Sequence, residues 1–84
     1  MLTKWYIGEK MAQVTLSVYD YEYFRETCLD KYGIREVERV KNDEDNEVTI
    51  EASLRTLSIY LNREYCVGMY QEYVEEIFDS IICN

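Results

Sequence analysis

The sequence predicts a small α+β domain: an antiparallel sheet of four or five strands with two helices on one face, in ββαββ(β)α order. Apolar residues alternate through 11–19 (MAQVTLSVY) and 47–54 (EVTIEASL), and they recur at helical spacing through 21–32 and 70–81. No Pro and no Gly/Ser-rich linker interrupts the 84 residues, so 1–84 reads as a single domain.

Residues 2–7 (LTKWYI) and 11–19 are expected to form two strands joined through Gly8-Glu9, with Gly supplying the positive φ of a tight turn. In that register Ala12, Val14, Leu16 and Val18 share the buried face, and Gln13, Thr15 and Ser17 point away. Asp20 is placed to cap a helix over 21–32, and Gly33 to end it in the left-handed conformation. Tyr21, Phe24, Cys28, Leu29 and Tyr32 fall on one side of that helix; Glu22, Glu26 and Asp30 fall on the other.

Residues 34–41 (IREVERVK) and 47–54 read as a second strand pair around the acidic loop NDEDN. The stretch 55–61 (RTLSIYL) fits two patterns. Leu57, Ile59 and Leu61 alternate as in a strand, while Leu54, Leu57 and Leu61 fit a helix equally well. Its Thr, Ser, Ile and Tyr content favours the strand. The closing helix presents Tyr70, Val74, Ile77, Phe78 and Ile81 as its apolar stripe, with Asn62 able to cap an earlier start if Gly68 is tolerated inside. Cys28 and Cys83 are expected in or near the core.

Seventeen acids against nine bases leave a formal charge of −8, which disfavours nucleic-acid phosphates and anionic membranes and favours a cationic partner. With no His, and three well-separated Cys lacking any C-x-x-C pair, a disulfide framework and a zinc site are both disfavoured. The N-terminus lacks a signal-peptide apolar core and no run reaches membrane-spanning length. A soluble cytoplasmic protein is expected.

The acids are not evenly spread. After Arg63 the chain contains no base, yet Glu72, Glu75, Glu76 and Asp79 lie on the closing helix. At ~100° per residue these four span about 100° of arc opposite the apolar stripe. Their i,i+3 and i,i+4 spacings repel by a few tenths of a kcal/mol each. Asp79 sits near the negative end of the helix dipole, which costs about 0.3–1 kcal/mol more. Asp43, Glu44, Asp45 and Glu47 make a second base-free cluster in the loop.

Tyr occurs nine times against two Phe and one Trp. Tyr21, Tyr32 and Tyr70 suit the core, whereas Tyr19, Tyr23, Tyr65 and Tyr73 fall beside acids. Tyr is a favoured interface anchor, giving contact area and a hydrogen bond at low entropy cost. A solvated acidic face with ordinary surface tyrosines is the plainer reading of both features.

No catalytic residue, cofactor or metal ligand set stands out. There is no Gly-rich phosphate loop, no His to activate a nucleophile, and no carboxylate pair in contrasting environments. The loop NDEDNE lacks the Gly and spaced Glu of a calcium loop. The chain is therefore expected to be a non-enzymatic inhibitor that occupies a basic, nucleic-acid-binding cleft of a partner. Asp43, Glu44, Asp45, Glu47, Glu72, Glu75, Glu76 and Asp79 would accept charge-assisted hydrogen bonds, and Tyr73 would pack between them. In size, charge and lack of catalytic groups the chain resembles phage-encoded inhibitors of host defence, including anti-CRISPR proteins and DNA mimics. That resemblance is one of type and transfers no residue; it implies the host cytoplasm as the place of action. The alternatives are a small assembly module, such as a homodimer joined through a sheet edge, and a transcriptional regulator that binds polymerase or a repressor.

Overall fold

The computed structural model describes residues 10–83. They form strand β1 (Met11–Val18), helix α1, strands β2 (Arg35–Lys41) and β3 (Asn46–Ser53), helices α2 and α3, and a short strand β4 (Ile82–Cys83). Helix α1 opens as an α-helix over Tyr21–Phe24 and widens into a π-helix over Arg25–Asp30. Helix α2 does the same, α over Leu54–Tyr60 and π over Leu61–Tyr65; α3 is α-helical over Gln71–Asp79. The class is the expected α+β. The strand expected at 2–7 and its Gly8-Glu9 turn lie outside the described residues.

The sheet is antiparallel in the order β2-β3-β1-β4. Ala12, Val14 and Leu16 sit opposite Ala52, Ile50 and Val48, and all six are buried. The intervening residues are polar: Thr15 and Thr49 share a hydrogen bond of 2.8 Å, and Gln13 donates to Glu51. One face of the sheet therefore holds the core and the other meets solvent. Phe24 and Cys28 of α1 join that core with Leu57, Tyr60 and Leu61 of α2. The Tyr60 ring packs edge-to-face with those of Phe24 and Tyr32, with centroids 6.4 and 5.6 Å apart.

Both ends of α1 follow local chemistry. Asp20 Oδ1 accepts from the Tyr23 backbone N–H at 3.1 Å, and Gly33 stops the helix at φ +68°. On β2, a bulge between Glu36 and Glu38 brings Glu36 opposite Ile50 and Arg39 opposite Val48, on the core side. There the two residues clasp Tyr21. Its hydroxyl donates to Glu36, and the Arg39 guanidinium lies 3.7 Å from its ring centroid. Glu36 raises the Tyr21 phenol above its ordinary range, first through that hydrogen bond.

Several expectations need correction. The segment 55–61 is helical, so the described residues hold three helices rather than two. Ser53 decides it: its hydroxyl accepts from the Thr56 N–H at 3.1 Å and starts a helix directly after β3. Leu57 and Leu61 are then fully buried, whereas Ile59, their partner in the strand pattern, is 38% exposed. No helix begins at Asn62 and runs through Gly68, because Gly68 takes φ +85° and breaks the chain between α2 and α3. Tyr70 is not core. It occupies the N-cap position of α3 and is 76% exposed. Cys83 is exposed as well, because β4 is a two-residue edge strand; Cys66 is buried instead. No helix of the described residues is long and apolar enough to cross a membrane.

Candidate protein-docking surface

The β2–β3 connection is a tight acidic loop. The Asn42 N–H donates to the Asp45 carbonyl at 2.8 Å, and its side-chain amide donates to the Asp45 carboxylate at 3.1 Å. Held this way, Asp43 and Glu44 project from the tip into solvent, and Glu47 is exposed at the start of β3 opposite Ser17.

Helix α3 has a different character. It buries no residue fully; Val74, Ile77 and Phe78, with Ile81 beyond its end, pack only partly against the core. Its outer side carries Glu72, Glu75, Glu76 and Asp79, all exposed. Glu72 lies in the first turn, where the dipole favours acid, and Asp79 in the last, where it does not. Tyr70 and Tyr73 stand at its N-terminal end with ring centroids 6.2 Å apart, and Tyr73 is 52% exposed.

One long-range contact ties the end of α2 to the end of β1. The Tyr65 hydroxyl donates to the Ser17 carbonyl at 2.7 Å, bridging positions 48 residues apart. Burial raises the Tyr65 phenol, and the Asp45 carboxylate adds to the effect. A cleft beside the same Tyr65 and Ser17 is lined by Tyr73 and Glu76 of α3. Tyr73 and Glu76 thus share a cleft with Ser17 and Tyr65, and Glu47 stands opposite Ser17 across the β1–β3 ladder. Glu72, Glu75 and Asp79 continue along α3, and Asp43 and Glu44 occupy the loop tip.

The ion pairs of the described residues lie elsewhere. Arg25 pairs with Glu22 at 2.8 Å, Lys31 with Glu64 at 2.7 Å, and Arg35 with Glu51. None of the eight acids named above takes part in one. Lys31 and then Tyr32, by hydrogen bonding to Glu64, hold its carboxyl below the usual range. Deep in the core, burial pushes the Cys28 thiol up to about 12, with hydrogen bonding to Tyr60 opposing it. These features place an exposed, acidic, tyrosine-bearing surface beside a core whose thiol is held protonated.

Residues 11–84 match the family described as Bacteriophage FRD3 protein. The chain is 30% identical over 67 residues to the uncharacterized 8.8 kDa protein of the frd-Gp32 intergenic region of Enterobacteria phage T4, covering 77% of this chain and 89% of that protein. The counterpart in Enterobacteria phage LZ3 is 29% identical over 68 residues, covering 77% and 90%. No solved structure matches the chain. A family match across nearly all the described residues, with relatives aligned over most of their own length, establishes that the chain belongs to the Bacteriophage FRD3 protein family.

Proposed function

We propose that this phage-family protein is a non-enzymatic inhibitor that docks on a basic, nucleic-acid-binding cleft of a host protein, in the manner of anti-CRISPR proteins or DNA mimics. It acts in the host cytoplasm. The observation that supports this reading is the division of charge. Among the described residues, Arg25, Lys31 and Arg35 are paired within the chain, whereas the acids of α3 and of the β2–β3 loop form no ion pair. Carboxylate oxygens can meet bidentate Arg much as phosphate oxygens do, so such a surface suits a site built for nucleic acid. The same charge would repel nucleic acid itself.

Charge also weighs against a homodimer joined through β2, the outer strand of the sheet. Paired positions alternate between hydrogen-bonded and open types in an antiparallel ladder, so a two-fold axis must pass through a pair position. Registers of that kind place Glu36, Glu38 or Arg39 opposite its own copy, Arg35 opposite Arg39 with Glu36 opposite Glu38, or Arg39 opposite Lys41. Each is a destabilising meeting of like charges.

The test is capture of partners from a phage-host lysate by the full chain, compared with a variant in which Glu72, Glu75, Glu76 and Asp79 are all changed to Lys. The wild-type chain should retain a basic protein at low salt and release it at high salt. The variant should retain none while its circular dichroism stays the same. Undiminished capture by the variant would remove α3 from the surface.

A further inference from the structure

A second cleft, of about 370 Å³, opens between α1, α2 and the end of β1. That volume lies within the roughly 300–1,000 Å³ typical of sites for small ligands. Phe24, Tyr60 and Met69 line it, together with Tyr19 and Tyr23, which are 75% and 62% exposed. It adjoins the cleft described above, since Ser17, Tyr65 and Met69 line both clefts.

Two observations bear on what would enter. The first is backbone geometry. Both π-helical segments contribute to the walls: Thr27 comes from the one in α1, and Glu64 and Tyr65 from the one in α2. Such wide turns re-aim side chains and recur at functional sites. The second is charge. Among the described residues, those lining the two clefts include three acids, Asp20, Glu64 and Glu76, and no base. Asp20 receives the Tyr23 N–H on Oδ1, and Glu64 receives both Lys31 and the Tyr32 hydroxyl on Oε2. Among the described residues, Asp20 Oδ2 and Glu64 Oε1 accept no hydrogen bond from the protein. The Glu64 side chain is 18% exposed and Lys31 pairs with its Oε2 at 2.7 Å, so Oε1 is what it offers to an incoming donor.

An apolar, ring-lined cleft with two spare carboxylate oxygens and no base fits one side chain better than others. An arginine can lay its aliphatic stem on Met69 and Phe24, stack its planar guanidinium on tyrosine rings, and donate to both acids. We infer that this cleft receives an arginine side chain of the partner protein and anchors it, while the acids of α3 and the loop steer the approach. The inference rests on the docking reading above and names the group that would enter deepest.

The cleft can be probed without the partner. The full chain, isotope-labelled, is titrated by NMR with the tripeptide acetyl-alanyl-arginyl-alanine amide and with its norleucine analogue. The arginine peptide should shift amide resonances of residues 19–27 and 60–69 and bind roughly fivefold more tightly than the norleucine peptide. Asp20→Asn keeps the helix cap and removes the charge, so it should weaken only the arginine peptide, by about fivefold. Tyr23→Ala, at an exposed position, should weaken it as well.

Equal binding of the two peptides, shifts confined to α3, or no effect of Asp20→Asn would overturn the anchor. Changes in the same resonances with protein concentration alone would also overturn it, marking a second copy as the occupant. These outcomes separate from those of the docking test. If the peptide fails while the α3 reversal still abolishes capture, only the anchor is lost. If the peptide binds while the reversal leaves capture intact, the docking reading fails instead.

Discussion

Helices α2 and α3 are both amphipathic, but they bury very different amounts of their apolar sides. Helix α2 begins at a side-chain cap from Ser53 and buries Leu57, Tyr60 and Leu61 in the centre of the core. Helix α3 begins at an exposed Tyr70 with no side-chain cap, buries no residue fully, and carries acid through its last turn. A helix selected for stability alone would have a capping residue at its start and a base near its end. The contrast teaches that α2 holds the fold together, while α3 adds little to it and carries its charge on an exposed face.

Truncating the core side of α2 should test this most severely. Leu57→Ala leaves a cavity under the sheet and should destabilise the chain by about 3 kcal/mol in urea unfolding. Val74→Ala on the partly buried side of α3 should cost less than half as much. Equal losses would end the distinction between the helices.

Alkaline pH should act next on the centre of the core. Below the ordinary Cys value of 9.0 the thiol is protonated in both folded and unfolded chains. Above it the unfolded chain releases a proton that folded Cys28 retains up to about 12. Stability should therefore fall as pH rises through that window, by at most about 1.4 kcal/mol per pH unit for each such group. Burial raises Tyr60 as well, followed by the effect of Cys28 beside it, and its contribution has the same sign. Near-ultraviolet absorbance should record exposed phenols ionising first and Tyr60 only on unfolding. Ionisation of all tyrosines in the intact fold would contradict the burial that sets α2 apart.

The caps give a smaller effect of opposite sign at the two helices. Ser53→Ala should destabilise by about 1 kcal/mol, whereas Tyr70→Ser should supply α3 with the cap it lacks and stabilise it by up to about 1 kcal/mol. Both are readable from thermal unfolding midpoints. Smallest of all, Asp79→Lys should stabilise the chain by about 0.3–1 kcal/mol at low salt, with the gain fading at high salt. A loss of stability in that variant would mean that Asp79 supports the fold, contrary to its exposed position.

How far the sequence could be read depends on the range of the interaction involved. Strand β1 was legible because Ala12, Val14, Leu16 and Val18 alternate with polar residues and all four are buried. Helix α1 was legible because Asp20 and Gly33 mark its ends through their own backbone preferences. The π-widening of α1 and α2 has no such marker. The candidate acids were legible as residues, and their placement was not: that Glu76 lines a cleft with Tyr65 and Ser17 depends on a contact across 48 positions. The cleft beside Tyr19 and Tyr23 likewise depends on elements distant in the chain.

By itself, then, the sequence determined the α+β class, the buried face of β1 and β3, the ends of α1 and the excess of acid on α3. These follow from side-chain period, capping and charge, which act between residues a few positions apart. Only the tertiary structure decided that 54–60 is a helix, that Tyr70 faces solvent, and that Glu76 lines a cleft with Tyr65 and Ser17. Leu57 and Leu61 carry the same hydrophobicity in either secondary structure. The helix prevails because Ser53 caps it and the buried face of β1 and β3 receives both leucines at once, a fit that forms only when the sheet is already there.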